Sequence, residues 1–231
     1  MTVSVLEMNL TKDLFADLMS AEPYKQIITD DAVLLRGFAL TNQTVILEDL
    51  HTIIRQAPLR HMVTKMGFSL SASMTNCGEL GWVSDRAGYR YDAIDPLSNK
   101  PWPAMPASFR ELAHQAAYEA GFRDFEPDAG LINQYKIGAS MGLHQDKNEL
   151  DLSQPIVSVS LGIPAIFQFG GLQRSDKPVK LVLEHGDVVV WGGESRLRFH
   201  GILPLKTLAS ITTLHPAFGE YRINLTFRKA G

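Results

Sequence analysis

The chain contains very little cysteine and no uninterrupted apolar stretch of membrane-spanning length. Its one cysteine, Cys77, excludes an intramolecular disulfide, which favours a reducing compartment, so we expect the protein in the cytoplasm. The longest uncharged run, residues 152–173, is broken by prolines and glycines and therefore predicts two strands rather than a membrane span. The N-terminus lacks a basic segment followed by an apolar core, so no signal peptide is expected.

Positive charge is not in excess either. The sequence has 22 lysines and arginines against 25 aspartates and glutamates, for a formal net charge of −3. Because proteins that grip long duplexes through many phosphates are usually more basic, any contact with nucleic acid must be local. Basic side chains do gather at residues 60–65, 86–90 and 174–180, although solvated loops explain each cluster taken alone.

What the chain does have is the composition of an ordinary globular domain. Of its 231 residues, 45% are hydrophobic and 20% are charged. Apolar residues at helical spacing predict helices over residues 43–57 and 108–122, with the proline-rich segment "NKPWPAMP" between them. From about residue 129 the period changes to two, and about seven or eight short strands predict a barrel or a double-sheet jelly roll.

Two His-x-Asp pairs lie in different sequence contexts. His144 and Asp146, in "MGLHQDKNE", are expected at the start of a strand, where residues i and i+2 face the same side. His185 and Asp187, in "EHGD", separate two predicted strands, so their side chains are expected to point outward from a hairpin turn. The first pair is therefore the better candidate for binding a metal.

An open iron site made from two histidines and one carboxylate needs a third ligand from another strand. His200, in "SRLRFHGI", directly follows an apolar alternating stretch and is a candidate for that ligand. A hydrogen-bonded histidine at a strand end is the more common reason for a histidine in such a place. The assignment of His200 therefore depends on what else the sequence offers.

The last predicted strand, "YRINLTFR", places Arg222, Asn224, Thr226 and Arg228 on one face. Guanidinium groups bind carboxylates bidentately and stay charged when buried, so this face suits a small dicarboxylate. An edge strand with its polar face in water is the alternative. Together with the first His-x-Asp pair and the distant His200, the two arginines describe a non-haem iron site with a 2-oxoglutarate anchor.

Six segments of the chain also resemble a known family. They are "MTNCGELGW", "NKPWPAMP", "LHQDKNE", "SVSLGIPAIFQFGG", "LEHGDVVVWGGESRL" and "YRINLTFR". Over about residues 30–229 they resemble the bacterial AlkB alkylated-DNA repair dioxygenases. The resemblance implies an α+β fold, in which a double-stranded β-helix (jelly-roll, cupin-like) core carries N-terminal helices and a nucleotide-recognition lid. It implies one catalytic domain, 1–231, with helices and lid in about 1–128 and the iron core in about 129–231.

The same resemblance implies roles for individual residues of the core. It assigns Fe(II) and the catalytic chemistry to His144, Asp146 and His200. It assigns the 2-oxoglutarate pocket to Asn133, Tyr135, Arg222, Asn224 and Arg228. On a strand, Asn133 and Tyr135 share a face and can donate hydrogen bonds to a carboxylate, although Tyr135 could also be a core tyrosine with a satisfied hydroxyl.

An enzyme that acts on a base must extract it from the stack and hold it flat. The family pattern implies that Trp82 stacks on the damaged base opposite His144, and that Tyr89 contacts a phosphate. It implies that Arg174 reaches the base or its backbone and that Met74 packs in the base pocket. Without the resemblance, a tryptophan is more often a core residue than a stacking platform, and a methionine is equally suited to filling a core.

The position of Asn148 departs from the family pattern, which typically has Asp there, facing the exocyclic amino group of the flipped base. Asparagine keeps one acceptor oxygen but loses the negative charge, so it should bind a cationic methylated base less strongly. The preference between 1-methyladenine and 3-methylcytosine is therefore expected to differ from that of the family.

The sequence thus predicts an Fe(II)- and 2-oxoglutarate-dependent dioxygenase that uses O2 to demethylate 1-methyladenine and 3-methylcytosine in DNA, releasing formaldehyde and succinate. The expected partner is alkylated single-stranded DNA, with duplex DNA and RNA left open, and a monomer that binds no membrane is expected. Two alternatives remain: the same chemistry on a protein side chain or small molecule, and a jelly-roll binding module without catalysis. The base-stacking aromatic residues and the basic residues beside them favour a nucleic-acid substrate over the first alternative. The second alternative predicts no turnover of 2-oxoglutarate.

Overall fold

The computed structural model describes residues 24–206 and 218–231, and two antiparallel sheets form most of this part of the chain. The strands are β1 (Lys25–Thr29), β2 (Ala32–Leu35), β3 (Arg60–Val63), β4 (Ser69–Gly78), β5 (Gly81–Asp85), β6 (Gly88–Asp92), β7 (Ile94–Asp95), β8 (Lys100–Pro101), β9 (Ala129–Tyr135), β10 (Met141–His144), β11 (Ile156–Gly162), β12 (Ala165–Phe169), β13 (Val179–Leu183), β14 (Val188–Trp191), β15 (His200–Ile202) and β16 (Arg222–Arg228). The helices are α1 (Gln43–Gln56) and α2 (Ala107–Glu119), with short 3-10 turns at Phe38–Asn42 and Gly193–Ser195.

The larger sheet has eight strands in the order β1-β2-β14-β11-β16-β9-β4-β3, and the smaller has four in the order β10-β15-β12-β13. Two further hairpins, β5-β6 and β7-β8, form separate two-stranded sheets. This architecture of two facing sheets is consistent with a jelly roll.

Side chains along the central strands point alternately to opposite faces of the larger sheet, so the buried apolar residues form two core layers, one on each face. Val157 and Val159 of β11 pack with Leu225 of β16 and with the apolar faces of both helices. On the opposite face, Trp191 of β14 packs against Phe167 and other apolar residues of the smaller sheet. Because successive strand residues face opposite sides, the polar residues that alternate with the valines of β11 point into the space between the two sheets.

Both helices occur where the apolar spacing predicts them, and the long uncharged run forms β11 and β12 as expected. No helix among the described residues is long and apolar enough to cross a membrane. The predicted helix-and-lid region, residues 1–128, also contributes β1, β2, β3 and β4 to the larger sheet, and its first 23 residues lie outside the described part. Alternation did not indicate β2, because its segment "AVLL" is apolar throughout and buried at every position.

The prediction that the side chains of "EHGD" point outward is wrong for Asp187. Gly186 does adopt the left-handed conformation of a turn, with φ of 89°. Asp187, however, is only 2% exposed, and it accepts hydrogen bonds from Arg36 Nη1 (2.7 Å) and from the backbone N–H groups of Gly37 (2.9 Å) and Glu184 (2.8 Å). The segment that follows β2 covers this turn, so the carboxylate connects that segment to the turn before β14 instead of facing water.

We expect Asp187→Ala to lower the free energy of unfolding by about 3 kcal/mol, because it leaves the Arg36 guanidinium and two backbone N–H groups without their acceptor. Urea unfolding followed by circular dichroism measures the change. Asp124→Ala, at an exposed carboxylate, is the matched control and should change the free energy by less than about 0.5 kcal/mol. Equal effects of the two substitutions would contradict this account of Asp187.

Candidate active site

A cavity of about 340 Å³ lies between the two sheets. Its lining includes twelve of the thirteen residues that the sequence analysis assigned to metal, co-substrate or substrate. These are Met74, Trp82, Tyr89, Asn133, Tyr135, His144, Asp146, Asn148, His200, Arg222, Asn224 and Arg228. The exception is Arg174, which does not line it; Arg174 donates to the backbone oxygen of Leu143 (2.8 Å) and lies over the ring of Phe199.

Strand pairing brings the two histidines together. The prediction that His144 and Asp146 begin a strand is wrong, since His144 ends β10 and Asp146 follows it. His144 is the direct partner of His200 at the start of β15, and their ring centroids are 4.4 Å apart. Asp146 lies between them, with Oδ1 3.6 Å from His144 Nε2 and Oδ2 3.7 Å from His200 Nε2. One ligand atom from each of the three residues lies within 4.8 Å of the others, and no other such cluster of three occurs in residues 24–206 and 218–231.

Backbone oxygens orient both imidazole rings. His144 Nδ1 lies 2.9 Å from Gly142 O, and His200 Nδ1 lies 3.0 Å from Arg198 O. A carbonyl can only accept, so each Nδ1 must carry the hydrogen, and each Nε2 lone pair is then available to a metal ion. Metal-binding histidines are usually oriented in this way by a partner on the second ring nitrogen.

Asp146 keeps its charge because of Arg228. Burial alone would raise the pKa of this carboxyl group, but Arg228 and then the two histidines hold the pKa well below its usual range. Arg228 donates from Nε (3.0 Å) and Nη2 (2.6 Å) to the same oxygen, Oδ2. In turn, although burial opposes it, Asp146 raises the pKa of Arg228. The carboxylate therefore has one oxygen held by an arginine and the other, Oδ1, directed at His144.

Arg222 is in the opposite electrostatic situation. It is 1% exposed, it donates from Nη2 to Ser160 Oγ (2.8 Å), and its Nε and Nη1 have no hydrogen-bond partner. It forms no ion pair with any described residue, and burial lowers its pKa to about 10. A buried cation without a counter-charge is costly, so this end of the cavity is built to receive an anion.

Strand register surrounds Arg222 with polar groups. Tyr135 of β9 is its direct partner across the pair β16-β9, and Asn133 is likewise opposite Asn224. Burial raises the pKa of Tyr135 to about 12, so its hydroxyl stays protonated and can donate, and the amide oxygen of Asn133 has no partner. Asn224 donates to Ser158 Oγ (2.8 Å) and to Val159 O (2.9 Å).

Sequence reasoning did not include several residues that belong to this lining. Ser158 lines the cavity beside Asn224, and Trp191 lies under His200 with a ring-centroid distance of 4.9 Å. The alternation of serine with valine along β11 is a signal that could have indicated Ser158. Glu149, Arg196 and Tyr91 were also missed, although all three contact the network around Asp146.

The residues expected to bind a base lie at the rim and along one wall. The rings of Trp82 and Tyr89 stack with a centroid distance of 5.6 Å and an interplanar angle of 14°. Tyr89 is half-exposed, Asn148 is exposed, and Met74 is buried in the wall. A flat ligand entering here would meet aromatic surface on one side and the imidazole of His144 deeper in the cavity.

The residues present fit both a metal ion and a dicarboxylate. Two histidines and one carboxylate with further positions open are the ligand set of non-haem Fe(II) oxygenases. The unpartnered N–H groups of Arg222, in the same cavity, fit the carboxylate of a molecule that also reaches the metal.

Comparison with known proteins gives consistent matches. The model of the 2OG-Fe(II) oxygenase superfamily matches residues 31–228. The "Alpha-ketoglutarate-dependent dioxygenase AlkB" of Escherichia coli (strain K12) is 56% identical over 219 residues, which cover 95% of this chain and 98% of that protein. The AlkB homolog of Caulobacter vibrioides (strain NA1000 / CB15N) is 40% identical over 191 residues, 83% of each chain. The solved structure of OsALKBH1 matches with a TM-score of 0.75 and 29% identity, covering 89% of this chain and 100% of that chain.

We expect Arg222→Met to raise the free energy of unfolding of the metal-free protein by about 1 kcal/mol, because it removes a buried charge that has no counter-ion. In native protein, 2-oxoglutarate added with Mn(II) should raise the free energy of unfolding, and in the variant it should not. Urea unfolding measures both effects.

Arg123→Met, at an exposed arginine, is the control and should change neither quantity. A destabilised Arg222→Met variant that 2-oxoglutarate still stabilises would show that Arg222 is a structural residue.

Proposed function

This chain belongs to the 2OG-Fe(II) oxygenase superfamily and, within it, to the AlkB-type dioxygenases, and on that premise we propose that it demethylates N-alkylated bases in DNA. It is an Fe(II)- and 2-oxoglutarate-dependent dioxygenase. The observation that carries the proposed substrate is the continuity of one cavity, which runs from the stacked aromatic pair Trp82–Tyr89 to the His–Asp–His cluster. The proposed bases are 1-methyladenine and 3-methylcytosine.

We propose His144, Asp146 and His200 as the iron ligands. The bond from Arg228 to Oδ2 supports a carboxylate that offers its other oxygen, and the two oriented imidazoles offer Nε2. Bound iron and 2-oxoglutarate would supply the chemistry in which O2 is the oxidant: one of its oxygen atoms ends in the succinate formed with carbon dioxide from 2-oxoglutarate, and the other ends in the formaldehyde formed from the methyl group. The protein itself contributes position, charge balance and exclusion of water.

The guanidinium of Arg222, whose Nε and Nη1 have no hydrogen-bond partner, is the proposed site for the carboxylate of 2-oxoglutarate that is distant from the metal. Asn133, Tyr135, Asn224 and Arg228 complete the proposed pocket. Tyr135 is protonated and 2% exposed, so its hydroxyl can donate to a carboxylate without competition from water. Arg228 is already paired with Asp146, so in this arrangement it links the co-substrate pocket to the metal ligands.

The flipped base is proposed to lie between Trp82 and His144, with Met74 packed against it and Asn148 facing its exocyclic amino group. Tyr89 and Arg174 are proposed to contact the nucleic-acid backbone, and the hairpin β5-β6 that carries Trp82 and Tyr89 is the proposed lid. Because a methyl group on the pairing edge weakens pairing, single-stranded DNA should be the preferred substrate.

We propose one catalytic domain over 1–231, because strands of the first half (β1, β2, β3 and β4) flank the strands of the second half on both sides within the larger sheet. We also propose a monomer that works in the cytoplasm. The single cysteine is buried and not disulfide-bonded, which suits a reducing compartment.

The test is mass spectrometry of a short single-stranded DNA that carries one 1-methyladenine or one 3-methylcytosine, incubated with Fe(II), 2-oxoglutarate and air. We expect conversion to the unmodified base with one formaldehyde and one succinate per base. His200→Ala should lower the rate at least about 100-fold, because it removes a proposed ligand. Matched RNA and duplex substrates rank the nucleic acids.

His51→Ala, at an exposed histidine of α1, is the control and should keep the native rate. Succinate without any change in either base would contradict the proposed substrate and direct attention to a protein side chain or small molecule. No succinate from protein that binds iron would contradict the proposed chemistry.

A second prediction concerns Asn148. We expect Asn148→Asp to raise kcat/KM several-fold for a cationic methylated base, because a carboxylate at the rim attracts that charge more strongly than an amide does. Competition between 1-methyladenine and 3-methylcytosine in one reaction measures the relative rates. Unchanged absolute and relative rates would show that Asn148 does not influence the choice of base.

A further inference from the structure

Four side chains form a continuous chain of contacts behind the proposed iron ligands. The Tyr91 hydroxyl donates to Glu149 Oε1 (2.6 Å), and that oxygen lies 3.4 Å from Arg228 Nε. Arg228 in turn holds Asp146 Oδ2 at 2.6 Å. Tyr91 and Glu149 belong to neither the proposed metal set nor the proposed co-substrate set.

Glu149 is the centre of this chain. Its side chain is 2% exposed, and its second oxygen, Oε2, accepts from Arg196 Nη2 at 3.0 Å. Arg196 is equally buried and donates from Nη1 to the backbone oxygen of Asp146 at 2.7 Å. Glu149 therefore orients two arginines, of which one holds the side chain of Asp146 and the other holds its backbone.

Two carboxylates and two guanidinium groups balance one another in this buried network. Removing the charge of Glu149 would leave the carboxylate of Asp146 as the only negative charge in this network beside two arginines, and Arg228 would lose the group that restricts its rotation. Mutation of a residue that contacts a metal ligand's partner commonly weakens metal affinity by about 10- to 100-fold, so we expect loss of the Glu149 contacts to weaken metal binding measurably.

Tyr91 brings the network into contact with the base-binding side. It lies on β6, and in the hairpin its direct partner across the strands is Trp82 of β5. The proposed stacking platform and the hydroxyl that holds Glu149 are thus opposite each other on one small two-stranded sheet. A displacement of this hairpin when a base enters must move the Tyr91 hydroxyl relative to Glu149.

We propose that Glu149 is a positioning residue for Asp146, acting through Arg228 and Arg196, and that Tyr91 couples occupancy of the base cavity to the metal half of the site. This inference rests on the proposed function and adds a regulation of the same site. Its consequence is reciprocal binding: a methylated base binds more tightly when metal and 2-oxoglutarate are in place, and the reverse holds by the same factor.

Tyr91→Phe is the decisive variant for coupling, because it removes one hydroxyl and changes no charge. Equilibrium binding of a single-stranded DNA with one 1-methyladenine is measured by fluorescence anisotropy, with and without Mn(II) plus 2-oxoglutarate, under argon. In native protein we expect these additions to tighten DNA binding at least about fivefold. In Tyr91→Phe we expect less than a twofold effect. Tyr118→Phe, at an exposed tyrosine of α2, is the control and should keep the native factor.

Glu149→Gln tests the positioning role without nucleic acid. We expect it to weaken Mn(II) binding about tenfold, measured by electron paramagnetic resonance of free Mn(II), whereas Glu126→Gln at an exposed carboxylate should not. Circular dichroism verifies the fold of each variant. If Glu149→Gln fails to fold, Tyr91→Phe still decides the coupling.

An unchanged Mn(II) affinity in a folded Glu149→Gln variant would overturn the positioning role. Native coupling in Tyr91→Phe, or no coupling in the native protein, would overturn the role of Tyr91. Failure of the proposed function is distinguishable, because native protein would then not bind the methylated DNA more tightly than its unmethylated counterpart under any condition.

Discussion

The ion pair between Asp146 and Arg228 is the interaction on which the rest of the active site depends. A carboxylate in a closed cavity would lose its charge to burial unless a cation faced it. Arg228 supplies that cation from the last strand of the larger sheet, whereas Asp146 follows β10 of the smaller sheet. The pair therefore connects the two sheets at the cavity, and it also leaves one carboxylate oxygen, Oδ1, directed at His144.

The two arginines of β16 show how one strand face can serve two purposes. Arg228 is neutralised by Asp146 and Glu149, whereas Arg222 is buried with two unpartnered nitrogens. The first arrangement organises the metal ligands, and the second keeps an attractive field ready for an anion. Such preorganisation lowers the free energy of unfolding of the ligand-free protein and strengthens binding of the ligand. This is a common exchange between stability and function.

Sequence patterns predicted the features that depend on neighbouring residues, and they missed features that depend on contacts between residues far apart in the chain. Both helices and the strands after residue 129 carry a clear local period, and the structure contains them. Strand β2 carries no alternation because both of its faces are buried, so it was missed. His144, Asp146 and His200 were found through spacing and resemblance, whereas Tyr91, Glu149 and Arg196 were not. Their importance arises from contacts between residues 47 to 58 positions apart, which no local pattern records.

The sequence by itself determined which side chains share a face, because the backbone of a strand alternates its residues irrespective of the rest of the fold. That local geometry already placed Arg222, Asn224 and Arg228 together, whereas Asp146 lies beyond the end of β10 and meets His144 outside a strand. Only the tertiary structure decided what each group meets: that Arg228 faces a carboxylate, that Arg222 faces none, and that Arg174 does not line the cavity. The reason is physical, since charge state and hydrogen bonding depend on burial and on partners from distant strands, and these exist only once the two sheets pack.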